Sequence, residues 1–278
     1  MKVARSIAEY AALRDPAQGR IAFVPTMGAL HNGHRSLIRL ARSRGDLVVV
    51  SIFVNPLQFG PDEDYARYPR PLDVDLESCA AEGVDIALVP TVTDLYPPGR
   101  QVTISAGALG SVLEGTSRPG HFDGVLTVVL KLLNIVRPDV AVFGQKDIQQ
   151  LACIQRMVVD LNVPVEVLGA PIVRDADGLA LSSRNVFLSA PERSLALSLS
   201  TALEKAATQT SVPAARMAAN ETLDRAADDP AFALDYATLV NPTTFAELPD
   251  DYTGPAIFAM AARVGRTRLI DNANLTFS

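Results

Sequence analysis

The chain has 278 residues, 48% of them hydrophobic and 20% charged, and a formal net charge of −6. That composition excludes a disordered or fibrous chain, and the length predicts one large or two unequal domains. Basic residues are scattered rather than massed, which argues against a nucleic-acid surface but leaves room for a local anion pocket. No run approaches the roughly 20 uninterrupted apolar residues of a membrane span, so no membrane partner is expected.

The N-terminus, "MKVARSIAEYAALRDP", lacks the apolar run and cleavage site of a secretory signal. It reads as an amphipathic helix, and a cytoplasmic location is expected. "RIAFVP" (20–25) is a short apolar run stopped by a proline and glycine turn, which predicts a buried strand. From His34 the period changes: Leu37, Ile38, Leu40 and Ala41 fall at helical spacing, and Gly45 closes the helix. "DLVVVSIFVNP" is a second near-continuous apolar strand, as expected when helices cover both faces of a sheet.

The alternation continues with a helix near 74–81, a strand at 85–89, a helix near 124–136 and a strand at 139–143. A helix at 148–161 and a strand at 164–168 complete it. Repeated strand-then-helix predicts a Rossmann-like α/β domain with a parallel sheet. After about Ala170 the chain turns polar, then gives two helical stretches (190–209 and 213–227) and three short strands, the pattern of a smaller α+β domain. The expected division is 1–172 and 173–278. Cys79 and Cys153 lie far apart without metal-ligand spacing and read as buried structural thiols.

In parallel sheets, ligands sit beyond the carboxyl ends of the strands, where helix N-termini point inward. "PTMGALHNGH" (25–34) falls at that edge. Backbone N–H groups of Gly33 and His34 at a helix start, with imidazoles at i and i+3, suit a phosphate. The same residues also read as a plain turn with an N-cap. Asn55 and Gln58 end an apolar strand, where amides either cap the loop or bind hydroxyls and carboxylates. Asp73 and Asp75 are either solvated residues at a helix start or a means of holding Mg²⁺. Arg118 and His121 lie in a glycine-rich stretch, a structural turn or a loop covering a site. Lys146, Asp147 and Gln150 follow a strand, with Asp147 and Gln150 in the first turn of a helix, and Ser182, Ser183 and Arg184 combine two hydroxyls with a guanidinium, a set suited to a polyanion.

Together "PTMGALHNGH", "FVNPLQF", "RPGHFDGV", "FGQKDIQQ" and "SSRN" resemble, in order and spacing, the pantothenate synthetase family of pantoate and β-alanine ligases. The resemblance implies ATP-dependent amide formation through pantoyl adenylate, with Mg²⁺, in a homodimer whose C-terminal domain is a lid. It implies ATP contacts from Pro25, Thr26, Met27, Gly28, His31 and His34. Phosphate contacts would come from Lys146, Ser182, Ser183 and Arg184, with Gly144 and Asp147 by the ribose and Val173 by the adenine. Gln58 and Gln150 would grip pantoate, and Asn55, Arg118 and His121 would lie near the pantoate and β-alanine end. The metal residues would be Asp73 and Asp75, although a valine interrupts that acidic pair. The rivals are a nucleotidylyltransferase of coenzyme biosynthesis, which shares only the HxGH element, and a catalytically silent nucleotide-binding module.

Overall fold

The computed structural model describes residues 1–14, 19–61 and 63–278. The chain divides into two compact units, one of Met1–Gln145 with Gln149–Pro171, the other of Lys146–Ile148 with Ile172–Ser278.

The first unit holds a six-stranded, all-parallel sheet. Its strands are β1 (Lys2–Ala4), β2 (Ile21–Thr26), β3 (Leu47–Ile52), β4 (Ile86–Leu88), β5 (Val140–Gly144) and β6 (Glu166–Ala170), in the order β1-β4-β3-β2-β5-β6. The helices are α1 (Ile7–Leu13), α2 (Asn32–Arg42), α3 (Leu72–Ala81), α4 (Val92–Leu95), α5 (Glu114–Ser117), α6 (His121–Val136) and α7 (Ile148–Asp160). On one face Ala22, Val24, Val48, Val50 and Ile52 pack against Leu37, Ile38 and Ala41 of α2 and Cys79 of α3. Phe23 and Val49 alternate to the opposite face and are fully buried. With both faces covered, β3 is buried at every position, which is why it reads as an unbroken apolar run.

The second unit packs α8 (Ala190–Ala207) and α9 (Val212–Ala227) against an antiparallel sheet of β7 (Phe232–Val240), β8 (Gly254–Val264) and β9 (Thr267–Phe277). Ser189 opens α8 with a capping box, accepting from Glu192 N–H while the Glu192 carboxylate accepts from Ser189 N–H.

Several expectations need correction. The N-terminus is not one helix: residues 2–4 form an edge strand beside β4 before α1 begins, and three residues are too few to show a period. The end of that expected helix, residues 15–16, lies outside the described residues. Strand β6 starts two residues late, because Pro164 has no N–H to give a ladder. The C-terminal strands are long, at 9, 11 and 11 residues. Helix α6 starts at His121 rather than near Gly124, so the third histidine sits on a helix. Helix α7 starts at Ile148, which leaves Asp147 exposed in the preceding 3₁₀ turn of Gln145–Asp147 rather than on a helix face with Gln150.

Gly124 is helical for a packing reason. A Cβ there would lie 2.2 Å from the Leu57 carbonyl oxygen, so only glycine lets α6 approach the backbone of the Asn55–Gln58 turn.

Candidate active site

The chain runs from β2 to β3 and β4 on one side of the sheet, then crosses to β5 on the other side of β2. The order therefore reverses between β2 and β5, and it is beyond the carboxyl ends of strands at such a point that α/β sheets bind ligands. The turn leaving β2 carries Pro25–His34, and β5 ends at Gly144.

The turn leaving β2 is left-handed at two successive residues, Gly28 (φ 81°) and Ala29 (φ 50°). For an alanine that conformation costs roughly 1–2 kcal/mol, so something must hold it. Thr26 Oγ1 donates to the Ser51 carbonyl (2.7 Å) and accepts from Gly28 N–H (3.2 Å). The Asp75 carboxylate, buried in the first turn of α3, accepts from Ala29 N–H (2.9 Å) and Leu30 N–H (2.7 Å).

His31 then caps α2. Its Nδ1 accepts from Gly33 N–H at 3.1 Å, while His31 N–H donates to Nδ1 of His34 at 3.3 Å, a capping box built from two imidazoles. The rings lie 4.1 Å apart between centroids. A ring nitrogen that accepts a hydrogen bond carries no proton, so both neutral rings hold theirs on Nε2. The backbone N–H groups of Gly33 and His34 are committed to the His31 ring. The helix start thus uses Nδ1 of both rings as acceptors, which places each imidazole N–H on Nε2.

A second cluster surrounds Gln58. Asn55, almost wholly buried, donates from Nδ2 to Gln58 Oε1 (3.0 Å) and to the Gly124 carbonyl (3.1 Å). Its Oδ1 accepts from Leu57 N–H (3.2 Å) and the Tyr96 hydroxyl (2.8 Å). Because Leu57 N–H can only donate and the Gly124 carbonyl only accept, the Asn55 amide has one orientation. Gln58 therefore offers Nε2, which contacts Sδ of Met27 at 3.0 Å.

From the other side, Nδ1 of His121 donates to the Gln58 carbonyl at 2.8 Å, and Nη1 of Arg118 donates to Nε2 of His121 at 3.0 Å. Arg118 also grips Glu63 with Nε (2.7 Å) and Nη2 (2.6 Å). Burial pushes the Glu63 carboxyl up, but the Arg118 pair outweighs it and the group is held below the usual range. Asn55, Arg118 and His121 were expected near substrate. The structure brings them together with Gln58, which they fix at both its side-chain amide and its backbone carbonyl. The neighbouring Gln149, absent from the sequence-based set, is buried and bonds the Leu109 and Val112 carbonyls (2.9 and 2.8 Å), while Gln150 is half-buried at the start of α7.

Asp73 and Asp75 do not fit a shared metal. Asp73 is exposed, and Asp75 is buried with both oxygens on backbone amides. Burial raises the Asp75 carboxyl, the two N–H donors working against it. Among the described residues no group of three or more His, Cys, Asp or Glu could hold a metal ion. Cys79 and Cys153 are buried free thiols, each pushed up to about 12 by burial.

In the second unit, Ser182 caps the 3₁₀ turn Ser183–Phe187, its Oγ accepting from Arg184 N–H at 3.2 Å. Asn272 of β9, 3% exposed, donates to the Lys146 carbonyl at 2.9 Å. The neighbouring Asp271 pairs with Arg174 through both oxygens, at 2.6 and 3.0 Å, one residue past Val173. Asp75, Glu63, Tyr96 and Asn272 are the residues sequence reasoning missed in these roles; only Asp75 carried a sequence signal, as an acid in a helix's first turn.

Residues 2–274 match the family Pantoate-beta-alanine ligase. A pantothenate synthetase from Thermobifida fusca is 58% identical over 99% of this chain and 95% of its own length. The crystal structure of pantothenate synthetase from Thermus thermophilus superposes with a TM-score of 0.93 at 45% identity, covering 98% of this chain and 99% of that one. The Francisella tularensis pantoate-beta-alanine ligase, crystallised with beta-gamma ATP and beta-alanine, gives 0.81 at 36% identity over 98% and 97%.

Proposed function

Because the chain belongs to the pantoate-beta-alanine ligase family, we propose that it condenses pantoate with β-alanine using ATP, releasing AMP and pyrophosphate. The observation that carries this reading is the HxGH turn leaving β2 at the point where the strand order reverses toward β5.

A bare carboxylate is a poor electrophile near neutral pH, so it must first gain a leaving group. A pantoate carboxylate oxygen attacks the α-phosphorus of ATP, the bond to pyrophosphate breaks, and pantoyl adenylate forms. The β-alanine amine then attacks the acyl carbon, AMP leaves, and the amine loses a proton. No covalent enzyme nucleophile is required, so catalysis rests on positioning and on stabilising phosphate charge.

The roles proposed here join the local geometry of each unit to the family pattern of the five motifs. His31 and His34 donate Nε2–H to the phosphates from the cap of α2, beside Pro25, Thr26, Met27 and Gly28. Gln58, with its amide orientation fixed by Asn55, offers Nε2 to pantoate, and Gln150 joins it. Arg118 and His121 act through the Gln58 backbone rather than on substrate. In the second unit Lys146, Ser182, Ser183 and Arg184 hold the phosphates and Val173 lies by the adenine; Asp147 of that unit and Gly144 of the first lie by the ribose. Any Mg²⁺ would be held by the ATP phosphates and would offset their charge, and no step is routed through Asp73 or Asp75.

Two buried thiols without a disulfide suit a reducing compartment and a cytoplasmic location. Among the described residues no helix is long and apolar enough to cross a membrane. A homodimer is proposed on the family pattern, to be checked by light scattering.

The direct test is exchange of labelled pyrophosphate into ATP. Exchange should require pantoate but not β-alanine. A requirement for β-alanine, or equal exchange without pantoate, would sink the two-step reading.

A further inference from the structure

We propose that Asp75 is a positioning residue: its buried carboxylate clamps the left-handed Gly28–Ala29 turn and so sets the two imidazoles that follow it. This rests on the functional reading above for its kinetic consequences, but not for its structural ones.

The argument starts from an imbalance. A carboxylate 1% exposed is costly unless its oxygens are well satisfied, and here they are met by backbone N–H groups rather than by a cation. Those N–H groups belong to Ala29 and Leu30, the residues at and just after the strained position. One carboxylate with two oxygens spans two successive amides, which a left-handed residue turns toward the same side. The fit is close: a Cβ on Gly28 would lie 2.8 Å from Asp75 Oδ2, so glycine at 28 makes room for the clamp as well as for its own φ of 81°. Among the described residues the Cys79 thiol, one turn along α3, feels the Asp75 charge, and burial pushes that thiol up to about 12.

His31 is the second residue after Ala29, and its ring caps α2 only if its backbone arrives extended, at φ −124° and ψ 177°. The turn sets that arrival. Asp75 therefore acts on phosphate chemistry through the loop backbone, without touching substrate.

The test uses Asp75→Asn, which replaces one acceptor with an NH₂ group that meets a backbone N–H head on. In pantoate-dependent pyrophosphate exchange its kcat/KM for ATP should fall about 10- to 100-fold, the scale of small misplacement at a reacting centre. Adding Ala29→Gly should recover about threefold or more, because glycine takes the left-handed turn without a clamp. The Mg²⁺ concentration for half-maximal rate should stay within about twofold of wild type.

Unchanged kcat/KM in Asp75→Asn overturns the proposal. So does a large rise in the Mg²⁺ requirement with no rescue by Ala29→Gly, which would make Asp75 a metal ligand. If Asp75→Asn does not melt cooperatively, Gly28→Ala, whose methyl enters the carboxylate, replaces it: a fall in kcat/KM for ATP of similar scale is expected and an unchanged value is fatal. Should the wild-type protein show no pantoate-dependent exchange, the functional reading fails by itself. The clamp is then judged by ring ¹⁵N signals, which must shift for His31 and His34 but not His121 in Asp75→Asn.

Discussion

The turn at 25–34 and the stretch at 115–124 share a vocabulary of glycine, histidine and a following helix, and between them hold all three histidines of the chain. Their chemistry differs. In the first, the helix start takes Nδ1 of both rings and leaves the proton on Nε2. In the second, His121 is the first residue of α6, its Nδ1 donates to the Gln58 carbonyl and its Nε2 accepts from Arg118. The difference teaches that a histidine's use is decided by which nitrogen the backbone consumes. A capping ring that accepts at Nδ1 carries its proton on Nε2, whereas His121, which donates from Nδ1 and accepts at Nε2, works as a brace.

That contrast is broken most directly by truncation. His34→Ala should lower kcat by about 100-fold or more, the scale of losing a transition-state charge contact. His121→Ala should lower kcat/KM by about 10-fold, mainly through a higher KM for pantoate, because it loosens Gln58. Steady-state kinetics with each substrate varied separates the two, and equal kcat losses would erase the distinction.

A smaller effect tests the brace from its far side. Gly124→Ala pushes a methyl into the Leu57 carbonyl, so α6 must shift, at a cost of about 1–3 kcal/mol in denaturant unfolding. Wild-type stability would mean that the approach of α6 to the Asn55–Gln58 turn is looser than described.

The smallest effect concerns Glu63. Its carboxyl is held below the ordinary glutamate value, so its stabilisation is fully present above about pH 4.3 and is lost as pH falls through the lower folded value. The melting-temperature gap between wild type and Glu63→Gln should therefore exist at neutral pH and close in acid. A gap that widened in acid would reverse the sign and remove the Arg118 pair as its cause.

The sheet was legible because buried parallel strands such as β3 show apolar residues without interruption, and the histidine turn because glycine and proline punctuate it. The five motifs identified the family for the same reason: they are local in sequence. What could not be read was partnership across sequence distance. Asp75 meets Ala29 from 46 residues away, and Tyr96 meets Asn55 from 41. As an acid in a helix's first turn, Asp75 resembled a metal ligand, since nothing local reports that its oxygens turn inward. Gly124 gave no sign of its packing role because the backbone it must admit, at Leu57, is equally remote.

With only three histidines, ring ¹⁵N spectroscopy can be assigned by single substitutions and tests the central claim on the wild-type protein. The account predicts that at neutral pH His31 and His34 are neutral with the proton on Nε2, and His121 with the proton on Nδ1. It also predicts that ATP perturbs the Nε2 signals of the first two far more than either signal of the third. A proton on Nδ1 of His31 or His34, or an ATP response confined to His121, would contradict it.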